Sequence, residues 1–146
     1  MTIGILKEAL PERRVAMLPA EIVSLKKLGV QVITEINAGA SSFASDDEYK
    51  KCGVETVNRK DLIAKADLLL SVNILPGEDI GLCRPGQVLC SVVNPVENRE
   101  WLAKAKDAGL TVLALDIIPR TTRAQAMDIL SSMATVTGYK AVIHAA

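Results

Sequence analysis

Residues able to do polar chemistry collect at two places in this 146-residue chain. One is Pro11-Glu12-Arg13-Arg14-Val15-Ala16-Met17-Leu18-Pro19; the other runs from Pro119-Arg120-Thr121-Thr122-Arg123 through Gln125, Asp128, Ser131 and Ser132. In the first, adjacent arginines can grip a carboxylate through paired N–H donors, or be used up in surface pairs with Glu8, Glu12 and Glu21. In the second, a helix that has begun by Gln125 would carry Gln125, Asp128, Ser131 and Ser132 on one face of an otherwise apolar cylinder. Polar groups on a buried helix need partners, because each unpaired one costs roughly 1–3 kcal/mol. Helix-start chemistry is one reading: Thr121 or Thr122 as cap, Asp128 near the positive end of the dipole, serines bonding back to the backbone. The other is a site for an amide-bearing ligand, in which two arginines, an amide, a carboxylate and hydroxyls orient a carboxamide and a ribose without acid–base work.

What is missing narrows the chemistry. The nine glycines never fall at GxGxxG or GxxxxGK[ST] spacing, so no strand-to-helix turn offers bare backbone N–H groups to a pyrophosphate. This segment alone is therefore not expected to bind a dinucleotide tightly. Cys52, Cys83 and Cys90 form no metal-ligand or redox pair, which predicts reduced and mostly buried thiols. His144, the single histidine, has no companion ligands for a metal.

The elements that must position these residues follow from periodicity. Short runs rich in Ile, Val and Leu, namely Thr2–Leu6, Val30–Glu35, Ala66–Val72, Gln87–Val93 and Thr111–Leu115, alternate with amphipathic stretches. That is the pattern of βα units: an α/β, Rossmann-like parallel sheet with flanking helices. Helices are predicted over Pro19–Leu28 with Gly29 as stop, from Ser45 through Lys51 with a Ser45–Glu48 capping box and Gly53 behind, from Asn58 through Ala64, and over Asn98–Ala108 before Gly109. Ala124–Ala146 is the longest helical candidate and, being apolar on most of its circumference, is expected to be buried. Residues 1–123 thus read as a Rossmann-like domain and 124–146 as a long helix after which no tail returns, the expectation for a fragment.

With 49% hydrophobic residues the chain can bury a core, and 17 basic against 17 acidic residues leave no electrostatic footprint for nucleic acid. No apolar run approaches the ~20 residues needed to cross a bilayer, so direct membrane insertion is not expected. The N-terminus lacks the order of a secretory signal and reads as a first strand, which points to a soluble cytoplasmic protein.

Taken together, Ile3-Gly4-Ile5-Leu6-Lys7-Glu8, Glu12 to Ala16 with Pro19, Gly39 with Ser42-Phe43, and Asp46 to Tyr49 resemble the alanine dehydrogenase and transhydrogenase N-terminal family. Ile118-Pro119-Arg120 through Ser132, followed by Gly138 to Val142, is similar to the transhydrogenase branch. The resemblance implies that Arg120, Gln125, Asp128 and Ser131 contact the nicotinamide and ribose end of NAD(H), with Thr121 and Thr122 nearby. It implies NADP(H) on a partner component, a membrane-spanning component, a homodimer, and a place at the cytoplasmic side of the inner membrane through those partners. It also implies a Gly-rich NAD-binding domain after the long helix and a later return of the chain that completes the first domain. The dehydrogenase branch, the alternative, pairs an Arg with lysines and a His to bind pyruvate and move a proton. Arg14 matches that Arg, but the other positions read Ser71-Val72-Asn73 and Asn94-Pro95. Their loss favours the transhydrogenase branch and leaves Arg14 a structural or electrostatic role. A further alternative for this stretch by itself is a non-catalytic dimerisation or docking module.

Overall fold

The computed structural model describes residues 1–146. Six parallel strands, β1 (Thr2–Ile5), β2 (Gln31–Glu35), β3 (Glu55–Val57), β4 (Leu68–Leu70), β5 (Val88–Ser91) and β6 (Thr111–Ala114), form one sheet in the order β3-β2-β1-β4-β5-β6. The expected Rossmann-like α/β fold is therefore present. The strands are shorter than the apolar runs predicted, because flanking residues such as Ala66 and Val93 are buried off the ladder rather than paired in it. Strand β3 was not expected: of Glu55-Thr56-Val57 only Val57 is buried, and what defines the strand is pairing to β2.

Helices α1 (Pro19–Lys26), α2 (Asp46–Lys51), α3 (Arg59–Lys65), α4 (Arg99–Asp107) and α5 (Ile129–Ala145) connect or follow the strands. Local chemistry sets the ends of several. At α2 the Ser45 hydroxyl accepts the Glu48 N–H while the Glu48 carboxylate accepts the Ser45 N–H, the reciprocal pair predicted from spacing. Asn58 caps α3 by accepting the Asp61 N–H at 2.9 Å. Beyond α1 and α4, Gly29 and Gly109 take positive φ of 74° and 72°, the left-handed geometry glycine tolerates without strain.

Two cores lie on opposite faces of the sheet. Ile5 and Val32 pack with Ile22 of α1 and with Ala44, Tyr49 and Val54 around α2; the buried Tyr49 hydroxyl donates to the Met17 carbonyl at 2.8 Å. On the other face, Leu69 and Leu89 pack under Leu62 and Ile63 of α3 and Trp101 and Ala105 of α4. Gln87 is buried in this second core, yet its amide donates to the carbonyls of Ile63 (2.7 Å) and Ala66 (2.8 Å) and accepts the Arg84 N–H, so burial leaves it satisfied.

The long C-terminal helix departs from expectation twice. It begins at Ile129 rather than near Ala124, because Thr122–Met127 forms a 3-10 segment and Asp128, with extended backbone, is the N-cap. Nor is it buried: none of its residues is enclosed by the chain, and Val136, Tyr139, Val142 and Ile143 are mostly exposed. The cysteines also differ from expectation. All three are free, but each is half-buried rather than enclosed.

Candidate functional site

Strand order reverses between β1 and β4, and the crevice outside their carboxyl ends is where open α/β sheets bind ligands. Here it is a cavity of about 340 Å³ lined by Lys7, Glu8, Glu35, Arg59, Ser71, Asn73 and Asp79 among others. Its floor is already occupied by the protein's own charges. The Glu8 carboxylate accepts the N–H groups of Val72 (2.6 Å) and Asn73 (3.3 Å) and the Asn73 amide (3.1 Å), using backbone donors that a bound anion would otherwise take. Arg59 bridges Asp79 (2.7 Å) and Glu35 (2.9 Å) and donates to the Lys7 carbonyl, tying the ends of β1 and β2 to α3. Desolvation works against the charged Arg59, but these two carboxylates outweigh it and hold its pKa above the ordinary value.

The first arginine patch resolves in favour of the surface pair. Arg14 donates from Nε (2.9 Å) and Nη2 (2.6 Å) to the two oxygens of Glu12, which also accepts the Arg14 N–H. That guanidinium hydrogen bond, ahead of the other contributions, lowers the Glu12 carboxyl from 4.5 to about 2. Arg14 is thus spoken for, in keeping with a structural role. Ser42 donates to the Arg13 carbonyl at 2.7 Å and pins the same loop.

The second patch behaves differently. Arg120, Thr121, Thr122, Gln125, Asp128 and Ser131 line one cavity of about 320 Å³ that includes no hydrophobic side chain. All six residues named from the sequence therefore meet at one place, though not by sharing a helix face. Arg120 to Gln125 lie before and within the 3-10 segment, and the chain then turns so that Asp128 and Ser131 stand at the first turn of α5. Ser132, grouped with them on helical spacing, points its hydroxyl back to the Asp128 carbonyl (3.2 Å) and does not line the cavity.

Capping and site-building turn out to be compatible. Asp128 Oδ1 accepts the N–H groups of Leu130 (3.0 Å) and Ser131 (3.1 Å), and Oδ2 accepts the Ser131 hydroxyl at 2.6 Å. The Ser131 hydrogen bond, first among the causes, and the nearby Arg120 hold the Asp128 carboxyl below its usual range. Ser131 has its proton committed, so toward the cavity Asp128 and Ser131 present acceptors only. Arg120 enters none of the chain's six ion pairs and supplies donors on the other side. Such a division suits a ligand with an amide N–H₂ or hydroxyls at one end and an acceptor oxygen at the other.

One positioning residue escaped the sequence reading. Asp116 accepts the N–H groups of Val93 and Asn94, both at 2.8 Å, and so fixes the segment leading to Arg120 against the end of β5. An isolated Asp in Leu115-Asp116-Ile117 carries no local motif that announces this contact across 22 residues. Arg59, which ties the switch-point crevice together through Glu35 and Asp79 at 24 and 20 residues' separation, likewise carries no local motif. No group of His, Cys, Asp and Glu is arranged to hold a metal ion, and no helix is long and apolar enough to cross a membrane.

Comparisons with known proteins agree with this fold. The solved structure of a transhydrogenase from Sinorhizobium meliloti superposes with a TM-score of 0.93 at 39% identity, covering 99% of this chain and 43% of that one. L-alanine dehydrogenase superposes less closely, with a TM-score of 0.77 at 27% identity over 84% of this chain and 34% of that one. The NAD(P) transhydrogenase subunit alpha of Cereibacter sphaeroides is 42% identical over 135 residues, which are 92% of this chain but 26% of that protein. This chain thus spans less than half the length of each of these proteins. Residues 4–137 match the family model described as alanine dehydrogenase/PNT, N-terminal domain. The chain belongs to the alanine dehydrogenase/PNT N-terminal domain family, and the transhydrogenases are the branch it resembles more.

Proposed function

We propose that the chain is the N-terminal part of the NAD(H)-binding component of a proton-translocating transhydrogenase, and that it orients the nicotinamide end of the dinucleotide for direct hydride transfer between NAD(H) and NADP(H). The observation that carries this reading is the convergence of Arg120, Thr121, Thr122, Gln125, Asp128 and Ser131 on one wholly polar cavity. The acceptors of Asp128 and Ser131 suit a carboxamide N–H₂ or ribose hydroxyls, and the free donors of Arg120 suit a carbonyl or phosphate oxygen. When bound, the nicotinamide ring supplies the hydride chemistry. The protein's part is to position it, which needs no proton-transferring side chain.

The phosphate grip lies elsewhere in this reading, in a Gly-rich domain to which residues 124–146 lead. NADP(H) and the membrane-spanning segments belong to partner components, the NAD(H) component is a homodimer, and the assembly sits at the cytoplasmic side of the inner membrane. A dehydrogenase reading fits less well: where that branch carries lysines and a histidine, this chain has Ser71, bonded to the Asn73 carbonyl, Asn73, bonded to Glu8, and Asn94.

The test is hydride transfer between NADH and an NADP⁺ analogue in the complete enzyme carrying Arg120→Ala or Asp128→Asn. A loss of roughly 10- to 100-fold is expected from misplacing the ring, with the fold retained. Wild-type turnover in both variants refutes the assignment.

A further inference from the structure

Along the carboxyl edge of the sheet, the backbone N–H groups that follow β1, β2, β4 and β5 each meet a carboxylate of the chain itself. The Lys7 N–H donates to Glu35 at 2.9 Å, and the Asn37 N–H to both oxygens of Asp46, at 2.9 and 3.1 Å. Glu8 takes the donors of Val72 and Asn73, and Asp116 those of Val93 and Asn94. Donors of this kind point out of the edge where open α/β sheets meet their ligands, and a carboxylate seated on them is an internal anion. Glu35, Asp46 and Glu8 tie one part of the scaffold to another. Asp116 alone stands in the segment that runs into the polar cavity, with Arg120 just beyond it.

The seat that receives Asp116 is built without it. Asn94 has a positive φ of 47°, a left-handed conformation of the kind that turns successive N–H groups toward one anion. Its Nδ2 donates to Glu97 at 2.6 Å, and Asn98 Nδ2 donates to the Val93 carbonyl at 2.8 Å, so the turn from β5 into α4 is held from both sides. Val93 itself is anchored in the core with Leu89 and Trp101. Continued past Ser91 and Ala114, the β5–β6 register brings Asp116 level with Val93, where the chain has already left the ladder for the Leu115–Ile117 turn. The carboxylate replaces the missing rung. Its oxygens take one N–H each, both at 2.8 Å, which fixes the plane of the carboxyl as well as its position.

The link from Asp116 to the cavity is stiff. Ile118 is extended (φ −59°, ψ 127°), the geometry to which a residue before proline is held, and the ring of Pro119 locks its own φ. The Thr121 N–H then closes back onto the Pro119 carbonyl at 2.9 Å. From Leu115 to Met127 no side chain other than Asp116 is hydrogen-bonded within the chain. A displacement at Asp116 therefore reaches Arg120 with little to absorb it. Hydride transfer is sensitive to such shifts, since a reacting geometry wrong by about 1 Å costs on the order of 100-fold in rate.

We propose that Asp116 is a positioning residue for the cavity: seated on the Val93 and Asn94 N–H groups, it sets where the Arg120 guanidinium and the Thr121–Thr122 backbone stand against the nicotinamide. This rests on the nucleotide reading of the cavity and adds to it the residue through which the scaffold reaches Arg120.

The test is a double-mutant cycle on hydride transfer between NADH and an NADP⁺ analogue in the complete enzyme, with Asp116→Ala, Arg120→Ala and both together. Asp116→Ala should lower kcat/KM by roughly 10-fold or more. Asp116→Asn, which keeps one acceptor oxygen, should lower it by less, and takes the place of Asp116→Ala in the cycle if that variant does not fold. In the double variant the loss should stay within about twofold of that in Arg120→Ala alone, because both substitutions undo the same placement; independent effects would multiply. Asp46→Asn, which weakens the same kind of bond on the other half of the sheet, should transfer hydride at the wild-type rate. Losses that multiply, wild-type transfer in the Asp116 variants while Arg120→Ala is impaired, or an equal loss in Asp46→Asn overturns the inference and leaves the site assignment standing. Wild-type transfer in Arg120→Ala refutes the role of Arg120 and this inference with it.

Discussion

Asp128 and Ser131 are bound to each other twice: the Ser131 hydroxyl donates to Oδ2 at 2.6 Å and its backbone N–H to Oδ1 at 3.1 Å. One carboxylate therefore both starts α5 and shapes the polar cavity. Because its folded pKa is depressed, its contribution is present above the unfolded carboxylate pKa and is lost as pH falls through the lower folded value. Amide exchange at Leu130 and Ser131 should accelerate roughly fivefold in Asp128→Ala, and in the wild type only as pH drops below the ordinary carboxylate range. Asp128→Asn, which keeps an acceptor oxygen, should exchange nearly as slowly as the wild type. If all three proteins exchange alike at neutral pH, Asp128 is not the cap.

Glu12 offers a second titration with a sharper number. Held at about 2 instead of 4.5 by the Arg14 hydrogen bonds, its stabilising pairing is complete at neutral pH and lost as pH falls from about 4.5 through about 2. Arg14→Ala should return the Glu12 carboxyl toward 4.5 in a carbon-detected NMR titration. With Arg14 half-exposed, the cost at pH 7 should be small, about 0.2–1 kcal/mol in urea unfolding. An unshifted Glu12 titration in the variant would contradict the pairing.

Gln87 is the polar group on which the second core depends. Gln87→Leu removes the donors to the Ile63 and Ala66 carbonyls and the acceptor of the Arg84 N–H in a buried place. The expected loss is about 1–3 kcal/mol in chemical unfolding, despite the gain in hydrophobicity. A variant as stable as the parent would mean that the carbonyls find other partners.

Gly4 allows α3 to lie directly on β1. An added Cβ would stand 2.6 Å from Leu62 Cδ2 and 2.9 Å from Ala66 Cβ, so Gly4→Ala must push the helix away from the strand. Overpacking of this kind costs about 1–3 kcal/mol. A melting temperature unchanged by the substitution would show that the α3–β1 contact is looser than described.

The isolated chain should bind NADH poorly, because the polar cavity near α5 meets only one end of the dinucleotide and the switch-point donors are taken by Glu8. Isothermal titration is expected to show no binding in the micromolar range. Micromolar affinity would place the phosphate grip within these 146 residues.

Much of this architecture is local and can be read from the chain. The Ser45–Glu48 box, the Asn58 cap and the glycines behind α1 and α4 are decided by hydrogen bonds and φ preferences spanning a few residues, so neighbouring residue types suffice. The polar cluster beside the apolar helix likewise stands out from residue types alone, whereas the choice of Arg120, Thr121, Thr122, Gln125, Asp128 and Ser131 over Arg123 and Ser132 comes from the family resemblance. Long-range contacts decided the rest. Strand β3 exists because β2 offers it a ladder. Glu8 reaches Val72 and Asp116 reaches Val93 across distances in sequence that no spacing rule encodes. The placing of Leu70, Cys90 and Leu113 is of the same kind: they look like core residues in the sequence, and only the strand order shows that they form one row across β4, β5 and β6.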